Sequence, residues 1–263
     1  MIAVLCAIRK EISPLVACMN VHKKSDKDEV LLFQGDLNGL PLALVQGGVG
    51  RKNAVKAAGY LLESADVDLL ISAGVAGGIR HGLKVGDLVV AESVGHSNQC
   101  DFDGEELQLE SNYVCDKEVF QLAKQLSNGM ESKFHFGSLL TVDKVISSAS
   151  TKKRIGGQNS FLAVEMESAA VAEVASRKGV KFAAIRSISD DIDDDLHLDY
   201  DSIISDEGKV KVASIALGVL KDPQKLSLLR RLNKQTRTAA KSLALFMSEL
   251  IPVIYDKNVS LVT

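Results

Sequence analysis

Between Ala163 and Asp195 the chain carries its densest set of groups able to do chemistry, in the run AVEMESAAVAEVASRKGVKFAAIRSISDDIDDD. Glu165, Met166 and Glu167 close a short apolar lead-in. Arg186, Ser187, Ile188, Ser189 and Asp190 follow a second apolar run, Phe182 to Ile185. The residues between, about Ser168 to Lys178, have helical spacing, so the block reads strand, helix, strand. Open parallel sheets gather their chemistry at the C-terminal ends of strands. Three carboxylates and one guanidinium can therefore meet in one cleft, and partly buried carboxylates are groups that move protons and hold positive charge. Each alone has a plainer reading: Glu167 as a first-turn complement to a helix dipole, Asp190 as an exposed turn residue. As a pair attached to consecutive apolar strands they point to function, because charge is costly where strands are buried.

The elements that must position this block come earlier. Ile2 to Cys6 is a short apolar strand. Ile12 to Cys18 reads as a helix that tolerates Pro14 only near its start, which puts Glu11 close to a helix N-terminus. Lys23 to Glu29 reads as a charged, solvated loop. Val30 to Gln34 and Leu42 to Val45 read as strands turned at Asn38-Gly39. Gly47-Gly48-Val49-Gly50 then leads into a helix over Lys52 to Ser64, with Ala54, Ala57, Ala58, Leu61 and Leu62 on one face. The next strand, Val67 to Ser72, ends in the small-residue loop Ala73-Gly74-Val75-Ala76-Gly77-Gly78. Two such loops after apolar strands suit backbone lying close to a flat ligand.

Lys84 to Ala91 reads as a turn feeding another strand, Gly95 to Gln108 as a mobile polar loop with a solvated His96, and Asp116 to Leu126 as a surface helix. Phe134 to Val142 is a further strand. Thr151-Lys152-Lys153-Arg154 reads as a solvated basic run. Past Asp195, helical spacing returns over Gly208 to Leu220. A second helix runs from Pro223, behind an Asp222 cap, to about Leu250, with Pro252 as its stop.

The 263 residues suffice for one large core, so residues 1–263 are expected to form a single domain with an extended helical segment from about 205. Alternating strands and helices give the class α/β. The net charge of −3 and the absence of a long basic stripe argue against nucleic acid as the main partner. Four cysteines without a CxxC pair fit a reducing, cytoplasmic setting, and no stretch reads as a transmembrane segment. The chain has no GxGxxG fingerprint, P-loop or GxSxG elbow, and no His, Cys and carboxylate cluster at metal-ligand spacing.

In order, Gly48-Val49-Gly50, Gly77-Gly78, Lys84-Val85-Gly86-Asp87, Val164-Glu165-Met166-Glu167 and Arg186-Ser187-Ile188-Ser189-Asp190 resemble the nucleoside phosphorylase and nucleosidase family over about Ile2 to Asp190. Within it the chain is similar to the methylthioadenosine/S-adenosylhomocysteine nucleosidases and, in its long C-terminal segment with Asp222-Pro223, to hopanoid-associated nucleoside phosphorylases. The resemblance implies a three-layer α/β/α sandwich around a central mixed, twisted sheet, a homodimer, no cofactor, and cleavage of a purine N-glycosidic bond. It implies Asp190 as the acid that protonates N7 of the leaving adenine, Glu167 as the carboxylate gripping the ribose hydroxyls, and Glu11 as the group orienting the attacking water. Ser189 positions the acid, and Arg186 lies near the acid and the water. Met166 packs on the sugar beside Glu165, Gly50 belongs to the same side, and Val75, Ala76 and Gly77 line it. Val145 and Ile146 face the base.

The chemistry is coherent, because a purine leaves as an anion unless protonated while the sugar gains positive charge that carboxylates stabilise. Glu11 stands where phosphorylases of the family carry an arginine, which makes water the expected nucleophile. Arg9 and Arg51 keep phosphate open as the alternative, with inorganic phosphate then a cosubstrate. The nucleosidase GDAFI stretch is replaced by Val142-Asp143-Lys144-Val145-Ile146 and loses its phenylalanine. A bulky apolar 5' substituent, as in adenosylhopane, therefore stays open beside methylthioadenosine. A nucleoside-binding protein without turnover is the remaining alternative.

Overall fold

The computed structural model describes residues 1–98, 107–196 and 224–260. In chain order the elements are β1 (Ile2–Cys6), α1 (Arg9–Val16), β2 (Asn20–Lys27), β3 (Val30–Leu37), β4 (Leu40–Gln46), α2 (Arg51–Ser64), β5 (Leu69–Gly78) and β6 (Leu88–Ser97). There follow β7 (Ser111–Val114), α3 (Lys117–Ser127), β8 (Phe134–Val142), α4 (Ala149–Gln158), β9 (Ala163–Glu165), α5 (Ser168–Lys178), β10 (Lys181–Asp190) and α6 (Gln224–Ser260).

All ten strands join one mixed sheet in the order β10-β6-β8-β9-β5-β1-β4-β3-β2, with β7 on β6. β5 also pairs with β10, so β10, β6, β8, β9 and β5 close on themselves while β1 to β4 extend outward as an open wing. The period-2 pleat sorts side chains into layers. Ala3 and Leu5 of β1 pack with Ala54, Ala57 and Leu61 of α2 and with the alanine face of α5. Ile2, Val4 and Cys6 pack oppositely, with Ile12 and Leu15 of α1, Val119 of α3 and Leu243, Phe246, Met247 and Leu250 of α6. Helices thus cover both faces, which is the α/β/α sandwich expected from the sequence.

Several expectations change. Lys23 to Glu29 is no loop, because β2 occupies most of it as an exposed strand paired antiparallel with β3. A ladder needs only backbone groups, and a lysine-rich edge strand resists further pairing, so side-chain pattern does not reveal it. Asn38 (φ 54°) and Gly39 (φ 83°) do form the left-handed hairpin turn. α1 starts at Arg9, earlier than expected, which leaves Pro14 inside the helix. The loop expected over Ala73 to Gly78 is strand, since β5 runs on to Gly78. His96 is buried at the end of β6, its ring between Glu110 (3.1 Å) and Asp143 (3.2 Å), while residues 99–106 lie outside the described residues.

α6 continues through Pro252 to Ser260 instead of stopping there. Ile251 and Ile254 are buried on either side of the proline, and Tyr255 Oη accepts from Ile2 N (3.0 Å) and donates to Pro41 O (2.6 Å), so packing and anchoring outweigh one missing backbone donor. By length and hydropathy α6 would suit a membrane span, but half of its apolar window is buried in the fold. The expected helix over Gly208 to Leu220 and the Asp222-Pro223 cap lie outside the described residues.

Candidate active site

β9 and β10 do not form the consecutive parallel unit that the sequence implied. β9 pairs antiparallel with β5 (Gly77↔Val164), whereas β10 pairs parallel with β5 (Arg186↔Gly74, Asp190↔Gly77). Glu165 and Asp190 therefore reach the same stretch of β5 from strands of opposite sense. Glycines on β5 make the approach possible. A Cβ on Gly74 would stand 2.8 Å from Glu11 Oε1 and 3.3 Å from Arg186 Nη1, and one on Gly77 would stand 3.0 Å from Asp190 Oδ2.

These groups surround a cavity of about 200 Å³. Its lining includes Glu11, Val75, Ala76, Gly77, Val145, Ile146, Glu165, Met166, Glu167, Ser189 and Asp190, as the sequence implied, together with Ala7, Ile8, Val49, Val142, Lys144, Val164 and Leu196. A larger hollow by Ser93, Asn112, Ser138 and Phe161 has no ionisable side chain in its lining, whereas four buried carboxylates converge on the smaller cavity.

Glu11 sits at the third position of α1 and closes its first turn. Oε2 accepts from Ala7 N (3.0 Å) and Ile8 N (2.9 Å), and Oε1 accepts from Val75 N across the cavity (2.9 Å). Burial raises the Glu11 pKa above the usual carboxylate range, with the amides of Ile8 and Val75 and the Arg186 charge pulling the other way.

Glu165 caps α5: Oε2 accepts from Glu167 N (3.0 Å), Ser168 N (2.8 Å) and Ser168 Oγ (3.0 Å), while Thr141 Oγ1 donates to Oε1. Burial works against its charge. The Arg186 guanidinium and the hydrogen bonds from Thr141 and Arg186 win, and they hold the Glu165 carboxyl below its usual range. Glu167 has the opposite fate. Gly50 N donates to its Oε1 (2.8 Å), and Arg186 Nη2 lies 3.9 Å from Oε2. Burial first, then the neighbouring Glu165 charge, push the Glu167 pKa up to about 8. The two carboxylates share one guanidinium, and the closer one takes it.

Arg186 is 2% exposed and lies beneath the cavity rather than in its lining, donating to Glu165, Ser168 Oγ (2.8 Å) and Ser72 Oγ (3.0 Å). This corrects the expectation that it stands by the acid. Gly50 is likewise a support for Glu167, outside the cavity lining. Arg51, which kept phosphate open as a reactant, is paired with Glu173 of α5 (2.6 Å), and Arg9 is exposed on α1.

Asp190 is 7% exposed, and Ser189 Oγ donates to its Oδ1 (2.7 Å). Its cationic partner is Lys152, from the run read as a solvated basic face, and Lys152 is fully buried. The physical reason lies in α4. Ala149, Lys152, Ile155 and Gly156 form one buried face of that helix. A Cβ on Gly156 would stand 1.9 Å from Ile79 O, so the glycine lets α4 seat directly on the backbone after β5 and carries Lys152 inward. The helical spacing of those four residues was the missed signal.

Comparisons with known proteins bear on the family and the fold. The profile of the Phosphorylase superfamily matches residues 1–221. The 5'-methylthioadenosine/S-adenosylhomocysteine nucleosidase of Maridesulfovibrio salexigens is 31% identical over 238 residues, covering 88% of this chain and 99% of that protein. The enzyme of the same description from Haemophilus influenzae (strain 86-028NP) is 28% identical over 225 residues, covering 83% and 97%. The crystal structure of the Neisseria meningitidis nucleosidase in complex with methylthio-immucillin-A superposes with a TM-score of 0.73 at 25% identity, covering 95% of this chain and 97% of that one. Sheet, cavity and sequence together place the chain in one family: it belongs to the phosphorylase superfamily, as its glycine turns, its VEMES run and its RSISD run imply.

Proposed function

We propose that the protein hydrolyses the N-glycosidic bond of an adenosine substituted at the 5' position and releases adenine. The observation that carries the reading is one cavity lined by a buried Asp190 backed by Ser189 and by three further buried carboxylates, Glu11, Glu165 and Glu167. Gly74 and Gly77, over which Glu11 and Asp190 lie, are three residues apart on β5, roughly 10 Å of strand, so a sugar fits between them. Asp190 protonates N7 of the departing base. Glu167 holds the ribose hydroxyls and, once ionised, stabilises the cationic sugar. Glu11 orients and deprotonates the attacking water.

Water is favoured over phosphate by the charges present. Lys144 is the only lysine or arginine in the cavity lining among the described residues, against four carboxylates, and Arg51 is turned to Glu173. The relatives named above are nucleosidases, which supports the same choice. Val145 stands where the nucleosidase pattern has phenylalanine, so the wall facing the base is a point at which this chain departs from that pattern. A homodimer is part of the reading, with exposed Leu109 (44%) and Val114 (68%) near β7 as apolar surface for a partner. So is a reducing, cytoplasmic setting, in which Cys6, Cys18 and Cys115 stay free thiols.

The test is a panel of 5'-substituted adenosines, from methylthio to long apolar tails, incubated with and without phosphate. Adenine and a free sugar, formed equally in both buffers, are expected. Sugar 1-phosphate would establish phosphorolysis instead, and binding without adenine release would establish a non-catalytic protein.

A further inference from the structure

We infer that Lys152 is the positioning residue of the acid step: it holds the proton that Asp190 passes to the leaving base. The inference rests on the reading of Asp190 as the general acid. Lys152 has no exposed surface. Its Nζ donates to Asp190 Oδ2, Asp191 O (3.0 Å) and Asp194 O (3.1 Å). Three acceptors match the three protons of an ammonium group. A lysine buried only to stabilise the fold would be a weak solution, since taking both charges from water offsets most of the attraction. Here the cation is instead applied to one oxygen of the acid, and Ser189 holds the other.

The ion pair has a chemical consequence. The transferable proton lies in the contact between Lys152 Nζ and Asp190 Oδ2 and is shared by the pair. In the reaction an Nζ–H bond of Lys152 breaks as an O–H bond forms on Asp190. That O–H breaks as N7–H forms, and the C1'–N9 bond opens with its electron pair on adenine. The water oxygen bonds to C1' and its proton goes to Glu11. After adenine departs, Glu11 releases its proton to water entering the cavity, and Lys152, left as an amine, regains one by way of Asp190, which lines that cavity.

Other charges around the pair are already engaged. Asp191 is paired with Lys84 (3.0 Å), Asp194 with Arg231 of α6 (3.2 Å) and Asp193 with Lys153 of α4 (2.7 Å), while Asp195 accepts from Ala149 N (2.7 Å). His81 acts on Asp193 at longer range. Lys144 lines the cavity, where Glu11, Glu165 and Glu167 face Arg186 from the far side.

The experiment compares wild type, Lys152→Met and Asp190→Asn on two substrates, the adenine nucleoside and the 4-nitrophenyl glycoside of the same sugar, whose leaving group needs no proton. K152M is expected to lose roughly 10²–10⁴-fold in kcat with the nucleoside and to keep its rate with the nitrophenyl glycoside. In a folded K152M a merely loosened site would lose both substrates alike, and that result overturns the inference. A D190N variant that fails to separate the two substrates sinks the acid reading itself; a D190N that separates them beside a K152M that does not sinks only the role of Lys152. If K152M does not fold, Lys152→Arg takes its place: the same split between the two substrates is expected, and equal loss on both refutes the role of Lys152.

Discussion

Replacing Glu167 with glutamine should make the protein more resistant to alkaline unfolding while it destroys activity. Glu167 is buried beside Glu165, and its pKa rises from 4.5 to about 8 on folding. Between those values the folded state keeps a proton that the unfolded state has released. Stability therefore falls as pH rises through the window, by about 1.4 kcal/mol per pH unit while the two states differ by one proton. Summed from pH 5 to pH 8, the group withdraws on the order of 4 kcal/mol. Glu165, whose pKa is lowered, is ionised in both states there and adds no slope of its own. Glu11 is raised as well, but it is present in both proteins and cancels in the comparison. Denaturant unfolding of wild type and E167Q at half-unit steps from pH 5 to 8 gives the difference directly. The gap between the two curves should widen with pH in favour of E167Q. Parallel curves would refute the raised pKa, and with it the claim that Glu165 takes the guanidinium. In the wild type, kcat/KM should rise with pH as Glu167 ionises in the free enzyme.

Other outcomes follow from single contacts. Gly74→Ala should cut adenine release at least tenfold and weaken the fold, because its methyl would stand 2.8 Å from Glu11 Oε1; steady-state kinetics with a thermal melt checks both. Gly156→Ala should destabilise by roughly 1–3 kcal/mol or more, since its Cβ meets Ile79 O at 1.9 Å, and should lower nucleoside cleavage by moving α4 and Lys152 together. Denaturant midpoints measure the first effect and turnover the second. Tyr255→Phe removes the hydroxyl that joins the end of α6 to Ile2 N and Pro41 O and should cost about 1–3 kcal/mol in unfolding free energy without changing KM.

What the residues determine alone is the inventory and its local setting. Apolar runs at strand spacing, the alanine face of α2, the Asn38-Gly39 turn and the helix that starts behind Glu167 are all short-range patterns. Each follows from backbone preference and side-chain periodicity within one element, so it is legible before folding. The family resemblance adds which carboxylates share a site, and the cavity gathers Glu11, Glu167 and Asp190 as it implies. Tertiary structure decided what depends on distance across the sheet. β9 meets β5 in the antiparallel sense, Arg186 goes to Glu165 beneath the site rather than to the acid, and a lysine that looks solvated in its run of four polar residues is buried against Asp190. The helical spacing of Ala149, Lys152, Ile155 and Gly156 marks a buried face locally, but the partner of each charge does not, because it is set by which backbone a glycine allows to come close, and Gly156 and Ile79 are far apart in the chain.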